Sequence, residues 1–218
     1  RHHEPASRTG APLRATPPVP PDQWRFTERE LAQTPSIVQG MPMEQERTYR
    51  SKACSFIFQI GTLLRVTQNV MTSATIYLHR FYMRQSFQQH QFQEVAAAAI
   101  FVASKVEEHH RRIDAVILAV ARTMSKSDVL QIPEHHRETR RWNDRILFYE
   151  QHLLAMICYD LGVMLPYTPL MELCHLFNVD RDLLRSAWGL VNDSTHTVIW
   201  LIYSVNEIAA ACLYLAYR

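Results

Sequence analysis

Two stretches decide the fold: EVAAAAIFVASKVEE at Glu94–Glu108 and ILFYEQHLLAMICYDL at Ile146–Leu161. Each is small or apolar nearly all round a 3.6-residue period, the mark of a helix buried in a core. Each also carries one charge inside its apolar stripe. Lys105 follows Phe101 by one turn and Val102 by three residues. Glu150 follows Ile146 by one turn and comes one turn before Leu153 and Leu154. Residues three and four apart share a helix face, so both charges open onto apolar surface. A lone charge withdrawn from water is costly, and pairing with the opposite sign is the usual remedy. The alternative is that Lys105 bends its ammonium into water while Glu150 lies at the edge of the stripe.

Outward from these stretches the pattern stays helical. No proline occurs between Met43 and Ile132. The periodicity predicts five helices: about Glu44–Val66, with Phe56, Ile57, Ile60, Leu63 and Leu64 facing inward; Asn69–Ser86; the Glu94–Glu108 stretch; Ile113–Met124; and His136–Cys158. Upstream, Thr27-Glu-Arg-Glu30 has the form of a capping box, opening a short helix that should end before Pro35. Downstream, Pro166 and Pro169 mark a break. Beyond it come a helix near Leu170–Phe177, one capped by Asp180, and a last one opened by a second capping box, Ser204-Val-Asn-Glu207. Val, Ile and Thr never alternate with polar residues for long, so no strand is predicted. The class is all-α.

The chain repeats itself. Glu94–Ala103 (EVAAAAIFVA) matches Glu207–Ala216 (EIAAACLYLA) position for position in residue type, at an offset of 113 residues (207 minus 94). The small residues let neighbouring helices approach closely, so this helix is expected to be the centre post of each copy. The expected organisation is a proline-rich disordered tail at 1–23, a first five-helix unit with its preceding short helix at 24–163, and the first three helices of a second unit at 164–218. The second core should be incomplete.

Composition bounds the function. The 218 residues are 47% apolar and 20% charged, enough to bury a proper core. A net charge of +2 gives no strong field for nucleic acid or a membrane surface. Cys54, Cys158, Cys174 and Cys212 lie far apart, with no CxxC pair and no zinc spacing. Cys54, Cys158 and Cys212 sit in apolar runs and read as buried thiols of a reducing compartment. With neither a signal peptide nor an apolar run of about 18 residues, the sequence reads as soluble and intracellular. Six of the 11 prolines fall in the first 22 residues, which no helix or strand survives. His2 and His3 have no further ligand nearby. No phosphate cradle, HExxH or GxSxG occurs, and His79 has no nucleophile to serve, so it reads as a packed or capping histidine. No catalytic residue, cofactor or metal is expected.

Taken together, the repeat, the Lys in ASKVEE and the early Glu in YEQHLLAMICYDL resemble the cyclins, with two cyclin boxes in tandem, the second incomplete. Trp24-Arg-Phe-Thr, Glu30-Leu, Thr34-Pro-Ser36, Gly40 and His79-Arg-Phe-Tyr-Met83 are more similar to transcription-associated cyclins of the T and K type. The resemblance covers Trp24 to Arg218. It implies a nuclear regulatory subunit, itself no enzyme, that activates a cyclin-dependent kinase phosphorylating the C-terminal tail of RNA polymerase II in transcription elongation. The kinase is the direct partner and the polymerase tail an indirect one. Carried over by position, the kinase-binding residues are Lys105, Val102, Val106 and Glu108 on one helix, and Glu150, Leu154, Tyr159 and Leu161 on the other. Val106 stands where many cyclins have phenylalanine, which implies lighter packing. Cell-cycle cyclins carry a Met-Arg-Ala-Ile-Leu docking patch; here Tyr49-Arg-Ser-Lys-Ala53 stands in its place, so docking of short Arg-x-Leu peptides is expected to be weak or absent.

The cationic runs His109–Arg112 and His135–Arg141 with Arg145 have two readings: solvated loop and helix start, or a phosphate-binding surface. Acidic neighbours Glu107, Glu108, Glu134, Glu138 and Asp144 favour the first. A cyclin-fold scaffold of the general transcription factor IIB type, gripping DNA and a TATA-binding protein, is the alternative function. It would want a strongly basic face, so direct nucleic-acid binding is not expected.

Overall fold

The computed structural model describes residues 23–127 and 137–218. The proline-rich segment 1–22, with His2 and His3, lies outside them, as do 128–136 and hence the start of the His135–Arg141 run. The described residues form helices and turns, with no strand among them.

Two single-turn helices open the chain. Helix α1 (Glu28–Leu31) starts on the expected capping box: Glu30 N donates to Thr27 Oγ1 at 3.3 Å and Thr27 N donates to Glu30 Oε2 at 2.8 Å. Helix α2 (Pro35–Val38) was not expected. Helix α1 does end before Pro35, as expected, and Pro35 itself occupies the first position of α2, where its missing N–H costs least, behind Thr34 as N-cap. Five helices follow: α3 (Met43–Leu64), α4 (Gln68–Phe81), α5 (Phe92–Val106), α6 (Ile113–Ser125) and α7 (Arg137–Met156). Helix α4 ends five residues before the expected Ser86. Tyr82 leaves it to stack on Phe87, ring centroids 3.6 Å apart, and Phe87 N donates to Ser36 Oγ. Leu63, expected inside, is exposed, whereas Phe56, Ile57, Ile60 and Leu64 are buried.

Helix α5 is the centre post. It packs against α3, α4, α6 and α7, and every residue from Glu94 to Ser104 is buried. Four successive alanines, Ala96–Ala99, allow four neighbours to close in at once. A second core is built from α8 (Tyr167–Leu176), α9 (Arg181–Ser194), a 3₁₀ turn (Val198–Leu201) and α10 (Val205–Tyr217). The 113-residue offset recurs in the helix boundaries. Helix α9 starts and ends 113 residues after α4, and α10 starts 113 residues after α5. Helix α10, however, buries only one stripe, Ile208, Ala209 and Cys212, and leaves Tyr214, Leu215 and Tyr217 exposed.

Polar contacts join the two cores. Thr72 Oγ1 and Tyr167 Oη lie 2.8 Å apart, and the same Tyr167 hydroxyl donates to Asn192. His79, fully buried on α4, donates from Nε2 to the Thr195 carbonyl at 2.9 Å, while Arg50 approaches its Nδ1 at 3.3 Å. Burial, with the Arg50 charge adding, pushes the His79 imidazole down to about 3, so it stays neutral. Arg50 is itself buried. It pairs with buried Glu46 at 2.7 Å and donates to the carbonyls of His79 and Tyr82. Glu46 also accepts from Thr34 Oγ1. A buried charge is tolerated when it is paired and its remaining donors are satisfied, as here.

Candidate functional site

The two mid-stripe charges meet. Lys105, on the last turn of α5, reaches Glu150 in the middle of α7, with Nζ and Oε1 2.5 Å apart. The side chains are 42% and 17% exposed, so the pair sits at the rim of the molecule with the ammonium half in water. At such exposure an ion pair contributes about 0–1 kcal/mol. Its weight lies in geometry, because it ties the end of one helix to the middle of another. The Lys105 ammonium also lies 3.9 Å from the Phe101 ring centroid, a cation–π contact that fixes the approach of its stem.

Around the pair lies a mixed surface. Leu154, one turn beyond Glu150, is half-buried, and Val106 and Leu147 are exposed. Leu147 escaped the sequence reading, although its spacing of three from Glu150 puts it on the same face of α7. Val102 lies inside the core and underpins this face without lining it. Past the end of α5, Glu107 turns inward and accepts from Ser73 Oγ at 2.7 Å, while Glu108, left-handed at φ 51°, is exposed.

Helix α7 ends two residues before the expected Cys158. Cys158 and Tyr159 are both left-handed, at φ 56° and 55°. The turn carries Cys158 to the surface, so this thiol is exposed and not buried as the apolar run suggested. Cys54, Cys174 and Cys212 are buried, and burial pushes the Cys54 thiol up to about 12. Tyr159 is 68% exposed and Leu161 half-buried. Between them, Asp160 is the hub of a network absent from the sequence reading. Its Oδ2 accepts from Gln23 Nε2 and Trp24 Nε1, each at 2.9 Å, and its carbonyl accepts from Arg80 Nη1 at 3.0 Å. The Gln23 hydrogen bond, then those from Trp24 and the Arg80 charge, holds this carboxyl below the usual carboxylate range against the opposing effect of burial. No local pattern announces contacts to residues some 136 positions away.

Several arginines of the cationic runs make contacts within the chain, with groups other than the acidic neighbours named above. Arg111 donates to the carbonyls of Leu64 and Arg65 and closes the end of α3. Arg112 pairs with Asp114, and Arg145 with Glu94. In the region of Tyr49–Ala53, Arg50 and Ala53 are buried and Lys52 is exposed, leaving Tyr49 as the one partly exposed large apolar group. Among the described residues no helix is long and apolar enough to cross a membrane, and no cluster of three or more His, Cys, Asp or Glu could hold a metal.

An all-helical unit with a small-residue centre post and a Lys–Glu pair between its third and fifth long helices is the geometry of a cyclin box. Residues 23–162 match the family described as cyclin, N-terminal domain, and the chain belongs to the cyclin family. Its relatives include cyclin pch1 of Schizosaccharomyces pombe, 37% identical over 91% of this chain and 60% of that relative. Another is human cyclin-K, 32% identical over 97% of this chain and 36% of that protein. The chain therefore spans well short of the full length of these relatives. Among solved structures, the yeast RNA polymerase II CTD kinase CTDK-1 complex contains a chain that matches at TM-score 0.76 and 14% identity, covering 88% of this chain and 61% of that one. A chain of the yeast TFIIK complex (Kin28/Ccl1/Tfb3) matches at TM-score 0.68 and 19% identity, covering 88% of this chain and 82% of that one. At those identities the likeness concerns the fold.

Proposed function

We propose that this chain is the regulatory subunit of a transcription-associated cyclin-dependent kinase. In this reading it acts in the nucleus, has no catalytic residues of its own, and activates a kinase that phosphorylates the RNA polymerase II C-terminal tail during elongation. The observation that carries the proposal is the Lys105–Glu150 pair locking α5 to α7, in a chain 37% identical to cyclin pch1. The kinase-binding face would consist of Lys105, Val106 and Glu108 from α5 and its end, with Val102 beneath, and Glu150, Leu154, Tyr159 and Leu161 from α7 and its end. The 113-residue offset of α4 to α9 and of α5 to α10 supports the further reading that 164–218 begins a second cyclin box after a first at 24–163.

The physical logic is differential binding. Phosphoryl transfer in a protein kinase requires the glutamate of its C-helix to pair with the ATP-gripping lysine. A partner imposes that state only by binding it better than the inactive one. A rigid helical wall with apolar knobs does so by burying the C-helix face. At about 25 cal/mol per Å², one side of a standard interface of about 800 Å² offers about 20 kcal/mol gross, most of it offset by ordering. The Lys–Glu pair fixes the shape of the wall and leaves polar atoms for the kinase backbone.

The test is to co-purify the chain with each nuclear cyclin-dependent kinase of its source and assay phosphorylation of a polymerase-tail peptide. Capture of one kinase with a rise in its activity is expected. Capture of none, together with duplex-DNA binding that falls steeply with salt, would refute the proposal in favour of a IIB-like scaffold.

A further inference from the structure

The turn after α7 holds two consecutive non-glycine residues in the left-handed region, Cys158 and Tyr159, the one such adjacent pair among the described residues. A helix end needs only one. Helices α3 and α6 close on single left-handed residues, Arg65 and Lys126. Each left-handed side-chain-bearing residue costs conformational energy, and a costly backbone persists only where its surroundings over-determine it.

Those surroundings come from outside α7. Tyr77 Oη donates to the Leu161 carbonyl at 2.8 Å, and Arg80 donates to the Asp160 carbonyl. Arg84 Nη1 lies 2.8 Å from Cys158 Sγ. The Trp24 ring lies 4.8 Å from the Arg80 guanidinium carbon and 4.7 Å from that of Arg84, and its Nε1 donates to Asp160. The contacts form a closed circuit: arm residue Trp24, Asp160, the turn, Arg84, and back to Trp24. Its product is Tyr159, a large ring standing mostly in solvent beside Leu154, whose carbonyl accepts from Tyr159 N at 2.8 Å. An exposed ring adds nothing to the core, so packing of the Tyr159 side chain does not offset the strain of the turn.

We propose that Trp24 and Asp160 are positioning residues: they clamp the strained turn so that Tyr159 projects from the kinase-binding face, and the arm before α1 thereby sets affinity for the partner. This rests on the kinase-subunit reading. The probe is the purified cyclin-dependent kinase that the wild-type chain captures, titrated at equilibrium. Asp160→Ala and Tyr159→Ala are each expected to weaken binding about tenfold, and the double variant no more than Tyr159→Ala alone, because one acts through the other. Trp24→Phe, which keeps the ring and loses the N–H, is expected to weaken binding about threefold. Tyr167→Phe, which trims the hydroxyl network of the second core, lowers the melting temperature without changing affinity. Additive losses in the double variant, or Asp160→Ala within about twofold of wild type, would overturn the clamp. Should Asp160→Ala fail to fold, Trp24→Phe completes the same cycle with Tyr159→Ala. Hydrogen exchange gives a readout free of the kinase. The amides of 158–161 should exchange faster in Asp160→Ala or Trp24→Phe while those of α5 do not. Unchanged exchange there refutes the clamp even if no kinase is ever captured, whereas faster exchange without capture refutes only the kinase reading.

Discussion

Helices α5 and α10 carry nearly the same sequence and live in different surroundings. Helix α5 is buried on every side from Glu94 to Ser104 and has no side-chain cap: the side chain of its N-cap Gln91 accepts no hydrogen bond. Helix α10 is buried on one stripe and begins on a complete capping box at Ser204 and Glu207. Even the terminal cation–π contact is repeated, with Lys105 over Phe101 in the first and Arg218 over Tyr214 in the second. Lys105 meets an acid, Glu150, because α7 crosses there. The contrast teaches that a small-residue helix is stable for two separable reasons. One is tertiary burial, which most helices need; the other is local capping, which matters more where burial is partial.

The largest effect should come from enlarging matched alanines. Ala98 is buried and its counterpart Ala211 is exposed. Ala98→Leu is expected to cost about 2–3 kcal/mol by overpacking, and Ala211→Leu to stay within about 0.5 kcal/mol, both by denaturant unfolding. Equal costs would end the comparison.

Next is the seam that ties the α5 core to the α10 core. The unfolded His79 imidazole takes up its proton near 6.5 and the folded one only near 3. The unfolded state therefore binds more protons between those values, and stability falls as pH is lowered through that window. The slope from this group is about 1.4 kcal/mol per pH unit, or about 2 kcal/mol lost by pH 5. His79→Gln should flatten the profile by that amount; an unchanged profile would show that His79 does not titrate as described.

The third test separates shape from stability. Lys105→Ala or Glu150→Ala should change unfolding free energy by less than about 1 kcal/mol, the pair being half exposed. Each should weaken kinase binding about tenfold by equilibrium titration. Arg218→Ala, its counterpart on α10, should do neither. Full binding and activation by Lys105→Ala would make the pair merely structural.

The smallest effect concerns caps. Ser204→Ala should cost about 1 kcal/mol, seen as faster hydrogen exchange along α10. Gln91→Ala at the start of α5 should leave exchange there unchanged.

Most of the fold was legible because helical period, proline breaks and caps are local signals. Both capping boxes and the centre-post role of α5 follow from residues within a few turns of each other, and the 113-residue repeat from comparing two such local patterns. The two charges were legible as exceptions in apolar stripes, but their residue pattern left pairing and solvation both open; the resemblance to cyclins favoured a pair, and the structure shows one with its ammonium half in water. The exceptions share a cause. Pro35 opens a helix, α4 stops at Tyr82, and Cys158 turns outward because of contacts made with distant residues: Glu46 with Thr34, Phe87 with Tyr82 and Ser36, Arg84 with Cys158.

The sequence by itself determined an all-helical chain, its duplicated centre-post helix and the two charges that mark its candidate face. The tertiary structure alone decided how exposed the charge pair is and where Tyr159 points. Period and capping act over a few residues, so one strand of text carries them. Burial and left-handed turns are set by whatever the rest of the chain packs beside them, which no stretch read alone contains.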